Sequence, residues 1–439
     1  MTTILSFVFV LGVLIFVHEL GHFLMARRIG VRVLTFSLGF GPKLLSFRRG
    51  ETEYCVSAIP LGGYVKMAGE NPEDARTGAS DEFLSKSKWQ RFQVLVMGPV
   101  MNLAFALVVM AVVLYQGAQV PAYDSRPAVV GVVLPDSPAA KNGIQRGDVM
   151  VAVDGKPVPT FEEFSLAILG KANRPVSLLI ERNGRPQSVQ VTPVPRGKFE
   201  VGDIGILPVM YPEIVAVNAG SPAEAAGLHP GDVIKAAAGE RDVQRDRVIE
   251  LIKAHGAQPL ELEILRAGQT KTITVQPRDT NGTMMIGAVI SPYDFRSIKP
   301  GPIEAVKLSA EQNWKWTRMI VETLGGLFTR ETSVKQLMGP VAIAQVSESA
   351  AQQGWVHLFG LMAMISLNLG LLNLMPIPVL DGGHIAILAL EGLSRRDFSM
   401  RVKEKMLLVG FVLLVTLMVT VIYNDLTRVQ WIERFMIWR

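Results

Sequence analysis

The chain opens with an apolar run from Ile4 to Ala26, and FVHELGHF (16–23) lies inside it. A run of this length suffices to cross a bilayer, which takes about 20 mainly apolar residues. A carboxylate deep in such a span costs roughly 2.5–3.5 kcal/mol on insertion scales. Partners for His18, Glu19 and His22 must therefore come from elsewhere in the chain. Any fold this sequence adopts has to meet that demand.

Three more windows of similar character follow: Val94–Tyr115, Val356–Leu374 and Met406–Ile422. With 49% hydrophobic and 19% charged residues among 439, the chain reads as a multi-domain membrane protein with an α-helical core of four spans. Residues 1–115 and 356–439 would supply the two halves of that core. The opening run lacks a basic leader and a small-residue cleavage motif, so it reads as a retained helix. Arginine and lysine concentrate at 27–93 and 391–405. Basic connections stay in the cytoplasm, which sends both termini and the segment 116–355 to the opposite side. The net charge of +5 is spread along the chain and gives nucleic-acid binding no support. A single cysteine, Cys55, leaves no internal disulfide and no multi-cysteine zinc site.

The middle segment repeats itself. SPAAKNGIQRGDVMVAVDG (137–155) and SPAEAAGLHPGDVIKAAAG (221–239) agree at nine of nineteen positions, at a shift of 84 residues. Each copy offers a Ser-Pro helix start, a glycine stop, a Gly-Asp turn and an apolar strand. Two small α+β domains are expected, at 116–205 and 206–292. The shared stretch resembles the PDZ signature, and PDZ domains pair an extended peptide or carboxyl terminus with a sheet edge. A steric screen without a ligand is the competing reading. The second copy leans that way, because AAAG replaces the Asp154-Gly155 turn. Residues 36–66 alternate apolar runs with Gly and Pro turns and read as β-hairpins against the cytoplasmic face of the membrane. Residues 302–328 read as a helix anchored by Trp314 and Trp316, one of the membrane-surface helices expected at 293–355.

His18 and His22 are four apart and share one helix face, with Glu19 about 100° round from His18. Two imidazoles at that spacing can grip one tetrahedral Zn²⁺, while the carboxylate beside them reaches water rather than the metal. Zinc catalysis needs a third ligand and an open position. His229 and His255 fall in the repeat domains, and His357 opens the third span at its outer end. The stretch NLGLLNLMPIPVLDGGH (368–384) closes that span near the cytoplasmic face. Its prolines break the helix and its paired glycines free the backbone, so Asp381 can turn inward. By helix rise His18 lies ~21 Å past the outer end of its span, in the inner half of the bilayer, where the third span ends. His384 stays open as an alternative ligand, and Asn102 reads as a packing residue or a support for the 373 region.

H-E-x-x-H in the first span, N-x-x-P-x-P-x-L-D-G-G in a later one, LGFGP (38–42), PLGGYVKMAGE (60–70) and GPVMN (98–102) resemble the site-2 protease family of intramembrane zinc metalloproteases, nearly end to end. The resemblance implies one Zn²⁺ on His18, His22 and Asp381, which favours the aspartate over His384. It implies Glu19 as the base, and Asn373, Gly62, Gly63 and Tyr64 against the substrate. It also implies that the 36–66 hairpins and the strand before Gly62-Gly63 pair with an unwound substrate. Implied partners are the transmembrane segment of an anti-sigma factor already clipped by another protease, remnant signal peptides, and a peptide or unfolded outer-side protein at the PDZ domains. The implied setting is an extracytoplasmic stress response at a bacterial inner membrane. A catalytically silent PDZ peptide sensor with structural zinc is the alternative, but such a site has no use for Glu19. A zinc transporter would spread its ligands over inverted repeats, which the sequence lacks.

Overall fold

The computed structural model describes residues 2–70, 78–197, 200–280, 282–329 and 332–427. The chain forms two compact units: Met1–Ala118 with Lys299–Gly325 and Leu337–Arg439, and Gln119–Ile298 with Gly326–Gln336. The expected second half of the core reaches 439, and its stretch 428–439 lies outside the described residues.

The first unit begins with α1 (Thr2–Arg28), an unbroken helix through FVHELGHF. Arg27 and Arg28 sit in its last turn, where cations suit the helix dipole. β1 (Val33–Arg49) and β2 (Thr52–Met67) follow as two long, bent strands. Their register makes them a four-segment sheet rather than separate hairpins. Residues 43–49 pair antiparallel with 52–57, and 33–38 pair antiparallel with 63–67. Between those pairs, Thr35 faces Glu53 and Leu38 faces Val56, so the two inner segments rise together. The segment 52–57 thus has both edges taken. Segment 63–67 is paired on one side only among the described residues. Phe36 on the sheet meets Phe16 and Phe23 of α1 at 5.9 and 5.3 Å between ring centroids, which seats the sheet on the helix.

α2 (Lys88–Gln116) starts at a reciprocal cap between Ser87 and Gln90. Among the described residues it is the most buried of the four helices long and apolar enough to cross a membrane. At Gly21 a Cβ would stand 2.4 Å from the Met97 carbonyl oxygen, so α1 and α2 touch backbone to backbone there.

The second unit holds the two repeats. In the first, α3 (Pro138–Lys141) and α4 (Phe161–Leu169) accompany a four-stranded sheet and the separate pair Val130–Val133 with Ile206–Pro208. In the second, α5 (Pro222–Ala225) and α6 (Arg245–Ala254) accompany a six-stranded sheet. Ser137 and Ser221 cap the short helices by accepting from the amides of Ala140 and Glu224. Ile206 packs with Val130, Met150 and Ile180 in the first core, so the first domain runs on to Pro208 instead of ending at 205. A three-residue strand after Gly205 carried no turn signal that could have revealed this.

The Gly-Asp turns have the same role in both copies. Arg182 grips Asp148 with two contacts of 2.7 Å, and Arg266 grips Asp232 with two of 2.6 Å. Each guanidinium also donates to the glycine carbonyl that follows the short helix, Gly143 or Gly227.

The chain then returns to the first unit. α7 (Pro302–Phe328) was expected on the membrane surface, yet it packs into the helical core. Ser309 donates to the Leu107 carbonyl at 2.7 Å, and Ile320 shares a cluster with Ala106 and Leu367. Its tryptophans hid a second apolar stripe, through Trp316, Ile320 and Leu324, that needs a protein partner. α8 (Pro340–Gln352) is capped by Asp425, which accepts from the amides of Gly339 and Ala342 at 3.2 and 3.0 Å. α9 (Trp355–Asn373), α10 (Asp381–Leu393) and α11 (Met400–Thr427) complete the unit. Buried Glu391 binds Lys403 at 2.7 Å, and its carbonyl accepts from Lys88 at 2.9 Å, tying the ends of α10, α11 and α2.

Burial opposes ionisation of Asp148 and Asp232, but the guanidinium beside each wins and holds both below the usual aspartate range. Carboxylates depressed in this way add stability that is complete above about pH 4, the unfolded value, and is lost as pH falls through the folded one. Asp148→Asn or Asp232→Asn should cost its domain about 2–3 kcal/mol, allowing for the partial exposure of the arginine. Hydrogen exchange across 119–298 in the full chain reads this as lost protection. The gap to wild type should begin to narrow below about pH 4 and close as the pH falls through the depressed folded-state value.

Candidate metal centre

One face of α1 presents His18 and His22 to α2, and both rings are buried. The third group arrives at the start of α10. Between α9 and α10 the chain turns sharply, with Val379 at φ +98°, a strained value for a β-branched residue. A Cβ on Gly383 would stand 2.2 Å from the Ile377 carbonyl oxygen, so the backbone folds onto itself there and delivers Asp381 inward.

Asp381 Oδ2 lies 3.1 Å from His18 Nε2 and 3.4 Å from His22 Nε2, and the two nitrogens are 3.3 Å apart. A tetrahedron with metal–donor bonds of about 2.0–2.1 Å has edges of about 3.3–3.4 Å. The three separations therefore match three corners of one tetrahedral site. Two imidazoles and a carboxylate are the donor set that Zn²⁺ accepts, and one corner is left for chemistry. Among the described residues this is the one cluster of three such groups. His384 is outside it, so the aspartate, and not the second candidate, joins the histidines.

Helix α2 shapes the far side of both rings. His22 Nδ1 lies 2.8 Å from the Val94 carbonyl oxygen, and Asn102 Nδ2 lies 3.3 Å from His18 Nδ1. A Cβ on Gly98 would stand 2.2 Å from His22 Nε2, so any side chain there would occupy the space of the ring. Asn102 thus reaches a histidine rather than merely packing or supporting the 373 region. The signal that could have found it is the spacing of Gly98 and Asn102, four apart on the helix facing a histidine pair also four apart.

Glu19 is half-buried and outside the donor cluster. A Cβ on Gly63 would stand 3.0 Å from Glu19 Cγ and 2.9 Å from the Ser37 carbonyl oxygen. The free-edged segment 63–67 therefore begins against the carboxylate. A Cβ on Gly62 would enter the Phe40 ring, and Tyr64 lies parallel to that ring at 6.2 Å. The 36–66 hairpins and the strand before Gly62-Gly63 were expected to take substrate. Segment 52–57 is closed on both edges, whereas the outer segments 43–49 and 63–67 are each paired on one side only among the described residues, and 63–67 is the one that lies against Glu19. Asn373 is the last residue of α9, where the turn towards Asp381 begins.

The sequence profile of Peptidase family M50 matches residues 6–417. The chain belongs to that family, the site-2 proteases. Regulator of sigma-E protease RseP from Salmonella typhimurium is 35% identical over 96% of this chain and 98% of its own length. The protein of the same name from Escherichia coli shows the same identity and coverage. A Neisseria meningitidis protein named as a zinc metalloprotease is 32% identical over 98% of this chain and 99% of its own. A solved PDZ domain of a Listeria innocua SdrC-like protein covers 19% of the chain and 92% of its own, at 26% identity and a TM-score of 0.17, too slight to bear on the fold.

Gly98→Ala should push the His22 ring off its place. Zinc affinity, measured by competition with a chelator, is expected to fall by about 10–100-fold, while helix content by circular dichroism stays as in wild type.

Proposed function

We propose that this chain cleaves peptide bonds within transmembrane segments, using one Zn²⁺ held by His18, His22 and Asp381, with Glu19 as general base. The observation that carries the reading is the tetrahedral spacing of three donors with a second carboxylate, Glu19, left outside them, against a free strand edge. Zinc, when bound, polarises the scissile carbonyl and makes water a competent nucleophile near neutral pH. Glu19 takes the proton of the attacking water on a carboxylate oxygen and hands it to the leaving amine.

A substrate helix hides its amides, so it must unwind before attack. Segment 63–66 lies on an edge paired on one side, and strand addition of an extended chain there sets that chain beside Glu19. Gly62, Gly63 and Tyr64 form the start of this edge, and on this reading Asn373, the last residue of α9, also holds substrate. Substrates on this reading are single-span proteins already clipped on the outer side. The anti-sigma factor class fits the names of the relatives, and remnant signal peptides share the required form. The two repeats act as outer-side PDZ modules that bind an exposed peptide or screen bulky domains. The chain then spans a bacterial inner membrane, with its centre in the cytoplasmic half.

Glu19→Gln should retain zinc by metal analysis yet lose cleavage of a reporter span by about 10²–10⁴-fold; undiminished cleavage would remove Glu19 from its role. Unwinding also sets a substrate rule. Replacing one glycine of the reporter span by leucine adds about 1 kcal/mol to unwinding, about a fivefold loss of rate. A rate indifferent to such changes in a time course would exclude the strand-addition step.

A further inference from the structure

Asn102 is wholly buried, and its Oδ1 has no hydrogen-bond partner. Its Nδ2 faces His18 Nδ1 at 3.3 Å. The two terminal atoms of an amide exchange by a half-turn of the side chain, so chemistry has to decide between the orientations. With nitrogen towards the ring, the amide donates into the lone pair of Nδ1. The ring hydrogen then sits on Nε2, and that atom has nothing to offer a metal. With oxygen towards the ring, Nδ1–H donates to it, and the Nε2 lone pair points where His22 Nε2 and Asp381 Oδ2 converge. The second orientation also gives the orphaned oxygen its partner.

His22 shows the same logic without ambiguity. Its Nδ1 faces the Val94 carbonyl oxygen, which can only accept. Val94, Gly98 and Asn102 are spaced four and four along α2 and so form one stripe: an acceptor, a gap for a ring, and a second acceptor. The stripe is held in place from behind, because Ser366 of α9 donates to the Asn102 carbonyl at 2.9 Å.

We infer that Asn102 is a positioning residue of the metal centre: its side-chain oxygen accepts the Nδ1 hydrogen of His18, so that α2 sets the tautomer and rotation of both imidazoles. The inference rests on the zinc reading above. It assigns Asn102 an acceptor role that a packing residue would not have, and that difference can be measured.

The test uses the full chain, as wild type, Asn102→Asp and Asn102→Leu, titrated with zinc against a chelator of known affinity. The aspartate keeps an acceptor in the same place, whereas the leucine keeps the volume and loses it. Asn102→Asp is expected within about threefold of wild type or tighter, and Asn102→Leu weaker by about 10–100-fold. The melting temperature of the metal-free Asn102→Leu protein should be no lower than that of wild type. Equal affinity in Asn102→Leu and wild type, or equal weakness in both variants, would overturn the inference. Should Asn102→Leu fail to fold, imidazole ¹⁵N spectra of the zinc-loaded wild type decide instead. A solvent-protected proton on His18 Nδ1 supports the acceptor, and an unprotected one overturns it. A wild-type chain that binds no zinc would bring down the metal reading itself, an outcome distinct from any difference among the variants.

Discussion

Two imidazoles and two carboxylates have to be satisfied inside a bundle of apolar helices, and most of the first unit follows from that requirement. Water cannot solvate them in numbers there, so their partners must be built in. The solution is a near approach of α1 and α2, close enough at Gly21 that backbone meets backbone. That approach puts one carbonyl and one amide of α2 behind the two rings. A looser crossing would leave both Nδ1 atoms unpaired, and the rings free to turn away from Asp381.

The same economy of space ties the base to the strand edge. Gly63 lies between the Ser37 carbonyl and the Glu19 side chain, so the sheet is seated directly on the reactive face of α1. Two T-shaped ring contacts from Phe36 to α1 fix that seat. An edge strand is ordinarily a hazard, because it invites pairing with any extended chain. Here the edge at 63–67 opens beside a carboxylate, while the two inner segments are paired on both sides. Recognition of an unwound chain and the chemistry on it are thereby one geometric event.

How much of this the sequence revealed depends on the reach of each signal. His18, Glu19 and His22 were legible because helical period and ligand spacing coincide within five residues. Prolines and paired glycines announced a break at membrane depth and made Asp381 a candidate, while the choice of Asp381 over His384 came from the family resemblance. The two small domains were legible through turn chemistry repeated 84 residues apart. Asn102 was legible only through its spacing from Gly98, since one amide in an apolar helix does not by itself say what it will face. The edge at 63–67 was not, because the order of four strand segments is set by their packing and not by their alternation. The core position of α7 was obscured for a related reason: an amphipathic helix has the same pattern whether its apolar stripe meets lipid or protein.

The third donor comes from far along the chain, and that separation has a physical consequence. His18 and His22 are fixed by their own helix and by α2, whereas Asp381 sits after a strained turn at Val379. Strain of this kind persists only where surrounding contacts outweigh it. Three electron-rich atoms held 3.1–3.4 Å apart do not supply those contacts unaided, since each competes for a positive partner. Protons on the imidazoles or a single cation can meet the need, and the cation does so for all three at once. On the proposed reading, a cation held by all three donors would be coupled to the conformation of the α9–α10 turn. Every donor, and every acceptor behind it, belongs to the helical unit.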